Sequence, residues 1–475
     1  MKKITIIILA TLAVCANANA KVELPSIFTD NMVLQQGRKV NLWGKAVPNG
    51  KVTVQPSWSK YKYIAETGSD GSWALYLPTS EAGGPYSITF SDGGKEKTIL
   101  NNVLIGEVWF CSGQSNMEMP VRGFPGQPVE GSIDAIMGAR PSVPIRICTV
   151  KRQCSAAEEK TCDCRWLEHN PESVADASAV AYFFARRLNE VLDVPVGLII
   201  TDWGGTPIEA WMNRETLRLE FKGEFDFSHL DSRILPKKHP QNSPCAMFNG
   251  QVAPLVPFTF RGMLWYQGES NRGRAEQYIR LQTSYVRMMR YLFRNENAPF
   301  YFVQIAPYNY SDSDLNSPLF YEAQEATLST IPRSGMVGTA DIGEWGTIHP
   351  RKKKEVGDRL ALLALQDEYG IDYIDAHSPS YADAEFKDGK AVVTMNVGDR
   401  NLAPIGVDLE GFELAGEDRV FHPATGRVSG KTVVVSSPEV PEPVAVRYCF
   451  HNWSVGTLFN SYGIPAYPFR SDDWK

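Results

Sequence analysis

Four short segments of this 475-residue chain carry side chains suited to chemistry, and each closes an apolar run. Gly113-Gln114-Ser115-Asn116-Met117 follows VLIGEVWFC. Thr201-Asp202-Trp203-Gly204-Gly205-Thr206 closes VGLII. Tyr266-Gln267-Gly268-Glu269-Ser270-Asn271 closes RGMLW. The fourth, from Asp341 through Glu344 and Trp345 to His349-Pro350, closes SGMVGTA. Taken singly, Ser115 reads as an ordinary turn or helix-capping serine. Together the segments supply a hydroxyl, glycine amides, a carboxamide and an imidazole. Acyl transfer needs these parts: a nucleophile, its general base and donors for an oxyanion.

Such groups act only if the fold brings them together. From Val103 onward, strand-like apolar runs alternate with helical ones at 173–193, 274–294, 318–331 and 351–369. That alternation predicts a mostly parallel sheet with helices on both faces. In such sheets ligands bind beyond the carboxyl ends of the strands, where all four segments lie. Before this region, residues 21–102 show short alternating runs (VNLWGKA, KVTVQPSW, SWALYLP, YSITFSD, KTILNNV) punctuated by PNG, GSDG and DGG. They predict a small antiparallel sandwich. Strand patterns return from about Asp372, so residues 371–475 read as a β-rich region packed on the rest, and residues 103–370 as the catalytic domain.

GQSNM, DWGGTPIEAW, WYQGESN and IHPRKKKEVGDRLA, in this order, resemble the SGNH (GDSL-like) esterases, and more narrowly their sialate O-acetylesterase branch, related to the acetylxylan esterases. The ending LFNSYGIPAYPFRSDDW is similar to that branch as well. The resemblance implies a three-layer α/β/α catalytic domain and a secreted carbohydrate O-acetylesterase that needs no cofactor or metal. The implied substrate is an O-acetylated sialic acid. Acetylated xylan or another plant glycan is the alternative, and a catalytically degenerate carbohydrate-binding protein is a reading of another class.

By position, the resemblance makes Ser115 the nucleophile and His349 its base. The oxyanion would be met by the backbone N–H groups of Ser115 and Gly205 and by a side-chain amide, Gln267 first and Asn271 second. The superfamily places an aspartate three residues before the histidine. Here that residue is Gly346, so Asp341 or Glu344 is expected to orient the imidazole. Gln114, Asn116 and Trp345 are expected to face substrate.

The formal net charge of −6 and the lack of a basic helical run argue against a nucleic-acid partner. Met1-Lys2-Lys3, the apolar stretch Ile4–Val14 and Ala18-Asn19-Ala20 read as an export signal spanning residues 1–20, which implies a periplasmic or extracellular enzyme. No later run is long enough to insert in a membrane. Seven cysteines follow the signal. Cys154, Cys162 and Cys164 lie close in sequence, and in an oxidising compartment a disulfide is expected there ahead of a zinc site. Oligomeric state is not legible in the sequence.

Overall fold

The computed structural model describes residues 21–310 and 314–474; the expected export signal lies outside the described residues. At its centre runs a 16-residue strand, β1 (Thr98–Gly113), which leads into a one-turn helix, α1 (Ser115–Glu118). There follow β2 (Ile145–Thr149), α2 (Ala179–Leu192), β3 (Val196–Asp202), β4 (Gly262–Tyr266) and α3 (Ala275–Leu292). The series closes with β5 (Phe300–Val303), α4 (Asn316–Thr330), β6 (Ser334–Val337) and α5 (Lys353–Asp367). The six strands are parallel, in the order β6-β5-β4-β1-β3-β2, with the two-residue strand Leu167–Glu168 antiparallel at the edge.

Both sheet faces are buried, and alternate residues of one strand enter different cores. Val108 and Phe110 pack with Tyr278, Leu281 and Tyr285 of α3 and Phe320 of α4. Trp109 and Cys111 pack with Phe184 and Leu188 of α2 and Leu360 of α5. This explains why the strands read as continuous apolar runs rather than alternating ones. The molecule is thus α/β.

The change of pattern at Val103 falls inside β1, not in a linker. The first half of β1 pairs antiparallel with Gly83–Ser91, and its second half pairs parallel with β3 and β4. At the junction the carboxylate of Glu107, fully buried, accepts from Arg261 at 2.8 and 3.1 Å, Gln36 at 2.7 Å and Tyr369 at 2.8 Å. Burial pushes its pKa up, but the Arg261 guanidinium, with the Gln36 and Tyr369 donors, holds it below the usual carboxylate value.

The run expected as one helix over 173–193 is two, Pro171–Asp176 and α2. Ala177 is extended, and the Ser178 hydroxyl accepts from Ala181 N–H at 3.2 Å to cap α2. The extended link exchanges backbone bonds with the chain after α1: Val121 N–H to Ala177 O and Ala179 N–H to Met119 O, both 2.9 Å. Breaking the helix thus anchors the exit from the Ser115 segment.

Residues beyond 370 form a seven-stranded antiparallel sheet and two short strands. Gly456 N–H donates to Ala340 O at 2.9 Å and Tyr467 Oη to Met336 O at 2.6 Å, so this region rests on the end of β6. The seven described cysteines are free thiols. Cys162 and Cys164 lie 3.7 Å apart in Sγ and Cys148 also adjoins Cys164, so the cluster uses Cys148 where Cys154 was expected. Among the described residues no helix is long and apolar enough to cross a membrane.

Candidate active site

The carboxyl ends of β1, β3 and β4 are level. Gly113 stands opposite Asp202 on one side and Tyr266 on the other. Three of the four segments therefore start side by side, joined by Gln114 N–H to Tyr266 O at 3.0 Å and Trp203 N–H to Gly113 O at 3.2 Å. Gly113 takes φ of 152°, and a β-carbon there would lie 2.2 Å from the Tyr266 carbonyl oxygen. Only glycine fits, because the chain must turn sharply to present Ser115 at the start of α1.

The second segment closes over the serine. A β-carbon on Gly204 would lie 3.2 Å from Ser115 Cβ, so the glycine loop packs directly on the nucleophile candidate. Gly204 N–H is held by Glu118, whose other oxygen pairs with Arg152 at 2.6 Å. Gly205 follows at φ of 75° with open space where its side chain would stand. Beside this loop lies a cleft of about 970 Å³ lined by Glu118, Phe124, Arg152 and Asp202 among others. Burial, with Glu118 nearby, pushes Asp202 up to about 7.

His349 arrives from β6, three strands from β1. Asn116 makes the link: its Nδ2 donates to Ile348 O at 3.1 Å. The neighbour of Ser115 is thus bonded to the neighbour of His349. The imidazole Nδ1 lies 2.8 Å from Gln127 Oε1. The amide oxygen accepts, so Nδ1 carries the hydrogen and Nε2 keeps the lone pair that a base needs. Gln127 sits in a tight turn, Phe124-Pro125-Gly126-Gln127, closed by reciprocal bonds of 3.0 and 2.9 Å between Phe124 and Gln127. Pro125 and Gly126 (φ of 74°) suit the two central positions. The same turn sets the Phe124 ring edge-on to the imidazole, centroids 5.3 Å apart.

Neither expected carboxylate touches His349. Asp341 forms a two-pronged pair with Arg359, at 2.9 and 2.6 Å. Glu344 accepts from Arg351 N–H at 2.7 Å and from its guanidinium at 3.1 Å. Gly346, which has no side chain to offer, is exposed at the tip of a turn bridged between Glu344 and Thr347. The ring's side-chain partner is instead Gln127, 222 residues away. Burial first, and Lys353 second, push the imidazole down to about 4.

The expected amides are engaged elsewhere. Gln267 Nε2 gives its hydrogens to Thr206 O at 3.2 Å and Asn271 Oδ1 at 2.7 Å, leaving none for an oxyanion. Asn271 Nδ2 donates to Glu209 at 2.9 Å, and its oxygen also accepts from Ile208 N–H at 3.0 Å. These two side chains brace the glycine loop. Gln114, buried, accepts from Gly268 and Ser270 N–H at 3.3 Å each, and Asn116 is buried too. Of the residues expected to face substrate, only Trp345 is exposed, at 58%, edge-on to Trp453 of the C-terminal region with centroids 5.8 Å apart. Trp211, Trp265 and Tyr266 are core.

Comparison with known proteins gives the family. The family model for carbohydrate esterases described as sialic acid-specific acetylesterase matches residues 105–366, more than half the chain. A crystal structure of a carbohydrate acetylesterase from Xanthomonas citri superposes with a TM-score of 0.85 and 31% identity, covering 95% of this chain and 100% of that one. The sialate O-acetylesterase of Homo sapiens is 29% identical over 73% of this chain and 71% of its own. That of Mus musculus is 26% identical over 98% and 97%. The chain belongs to the sialic acid-specific acetylesterase family of carbohydrate esterases and is a carboxylic ester hydrolase.

Proposed function

We propose that the protein removes O-acetyl groups from sugars through an acetyl-serine intermediate. The Ser115 hydroxyl attacks the ester carbonyl while His349 Nε2 takes its proton. The backbone N–H groups of Ser115 and Gly205 receive the oxyanion, a contribution of about 2.7–4 kcal/mol for each such donor. The tetrahedral intermediate then collapses, breaking the bond to the sugar oxygen, and the imidazolium returns the proton to the leaving alcohol. A water, deprotonated by His349, next attacks the acetyl-serine; the acyl–Oγ bond breaks, the imidazolium returns the proton to Ser115 Oγ, and acetate leaves. Gln127 keeps the imidazole in the tautomer this sequence needs. The observation that carries the reading is the Asn116 bond to Ile348 O at 3.1 Å, with Gly204 packed on Ser115 from the other side.

Family membership favours O-acetylated sialic acid as substrate. The exposed Trp345–Trp453 pair supports a second reading, an acetylated glycan chain, because aromatic faces suit the apolar faces of pyranose rings. Acetate release from O-acetyl sialic acid and from acetylxylan separates the two. Ser115→Ala must abolish release from whichever substrate is used; wild-type turnover in that variant rejects the mechanism. Export is part of the proposal, on the strength of Met1-Lys2-Lys3, Ile4–Val14 and Ala18-Asn19-Ala20. Sequencing the mature amino terminus should read from Lys21, and an intact Met1 rejects export by this signal.

A further inference from the structure

Behind the Ser115–His349 pair lies a group of buried polar side chains that the proposed chemistry does not use. Lys353, the first residue of α5, is fully buried. Its Nζ donates to Asn116 Oδ1 at 2.5 Å. Asn116 Nδ2 in turn donates to Glu269 Oε1 at 2.5 Å and to Ile348 O at 3.1 Å. One carboxamide therefore ties together α1, the histidine loop, the loop after β4 and the start of α5. A buried lysine and a buried glutamate are costly, and apolar residues of similar volume would stabilise a core as well or better. The place of Asn116, one residue from Ser115, and of Lys353, four from His349, makes a structural role an insufficient account.

We propose that Lys353, acting through Asn116, is a positioning residue for the Ser115–His349 pair: it fixes the spacing of the two segments, and its charge keeps the imidazole ready to accept a proton. This rests on the reading of Ser115 and His349 as nucleophile and base.

The electrostatic part follows from what faces each group. His349 is faced by Lys353 and by the neutral Phe124 and Gln127 of the turn. Lys353 is faced by Glu269 from the loop after β4, by Glu344 from the histidine loop and by the Tyr266 ring, 5.5 Å from Nζ to the centroid. Burial lowers Lys353 to about 7, so the ammonium is charged throughout the acid range in which His349 gains its proton. There it disfavours the imidazolium. Glu269, pushed up by burial, accepts a hydrogen bond from Asn116, so the same amide also holds a carboxyl that faces the lysine.

The test is the pH dependence of kcat/KM for p-nitrophenyl acetate, a probe too small to engage a sugar subsite, in the full chain. In Lys353→Met the midpoint of the acid limb should rise by about one pH unit, the order expected when a nearby unit charge is removed from a half-buried site. Its kcat should fall roughly tenfold. Asn116→Ala keeps the charge but releases the segments, so its kcat should fall with the midpoint unmoved. If Lys353→Met does not fold, Lys353→Gln, neutral but still a donor, carries the same expectation. A Lys353 variant that loses activity with the midpoint unmoved overturns the proposal, as does full activity in both the Lys353 and Asn116 variants. Failure of the underlying reading is distinguishable: it shows as wild-type turnover in Ser115→Ala.

Discussion

Ser115 is held chiefly by backbone, its own and that of neighbouring strand ends, whereas His349 is held by side chains from elsewhere. On the serine side, the backbone does the work. A parallel strand ends, Gly113 turns where no side chain fits, and amides bond across the ends of β1, β3 and β4. On the histidine side, a loop leaves β6 and crosses to the centre of the sheet. It is fixed there by Asn116 on Ile348, by Gln127 on the ring and by two arginines that draw Asp341 and Glu344 aside. The proposed nucleophile needs sharp presentation, which a glycine turn gives. A base needs a chosen tautomer and a tuned proton affinity, and these come from polar partners.

Substitutions on the two sides should differ in kind. Ser115→Ala should lower kcat/KM by about 10,000-fold or more with an unchanged melting curve, the signature of losing a group that acts as part of a unit. Gly113→Ala should fail by unfolding rather than by chemistry, losing on the order of 3 kcal/mol in urea titration, because its β-carbon meets the Tyr266 carbonyl. A normal urea midpoint there would refute the backbone account of the serine side.

Gln127→Ala should lower kcat by about 10- to 100-fold with little change in melting, since the turn survives while the tautomer is released. Gln127→Glu should move the acid limb of kcat/KM up by about one to two pH units, as a carboxylate stabilises the imidazolium. With His349 as the proposed base, the neutral imidazole would be the active form, so activity should persist below pH 6 and fall only as pH drops through about 4. Stability moves with the same sign. The His349 contribution is complete above its unfolded value near ~6.5 and is lost as pH falls from there towards 4, because the unfolded chain takes up the proton first. The smallest effects on chemistry belong to Asp341→Asn and Glu344→Gln, within about threefold in kcat/KM. A collapse of activity in either, with a shifted acid limb, would restore a carboxylate to the imidazole.

The same contrast explains what the sequence discloses. The stop after VWFC, the glycines of Gly204-Gly205 and the sheet they belong to follow from local rules: apolar runs, breakers and the period of burial. The four chemical segments were legible for that reason, as was the alternation of strands and helices. Gln127 was not, because its turn, FPGQ, is ordinary in sequence and meets His349 only through the tertiary fold. Asp341 and Glu344 were plausible neighbours along the chain, but Arg359 and Arg351 bind them more closely than the imidazole does. Gln267 and Asn271 stand in the expected loop, yet their amides face inward to Thr206 and Glu209. The helix break at Ala177 is likewise a tertiary event, since its freed backbone groups pair with Met119 and Val121.

Strand β1 has a further consequence. One unbroken strand serves two sheets: its first half belongs to the amino-terminal sheet and its second half is an inner strand of the catalytic sheet, with the Glu107 carboxylate fastened to both sides at the crossing. A fragment beginning at Val103 would start inside a paired strand and leave Glu107 without Gln36. The two units are therefore not separable modules, and heating should melt them in a single transition. A calorimetric trace with two resolved peaks, one of them the amino-terminal sheet, would show otherwise.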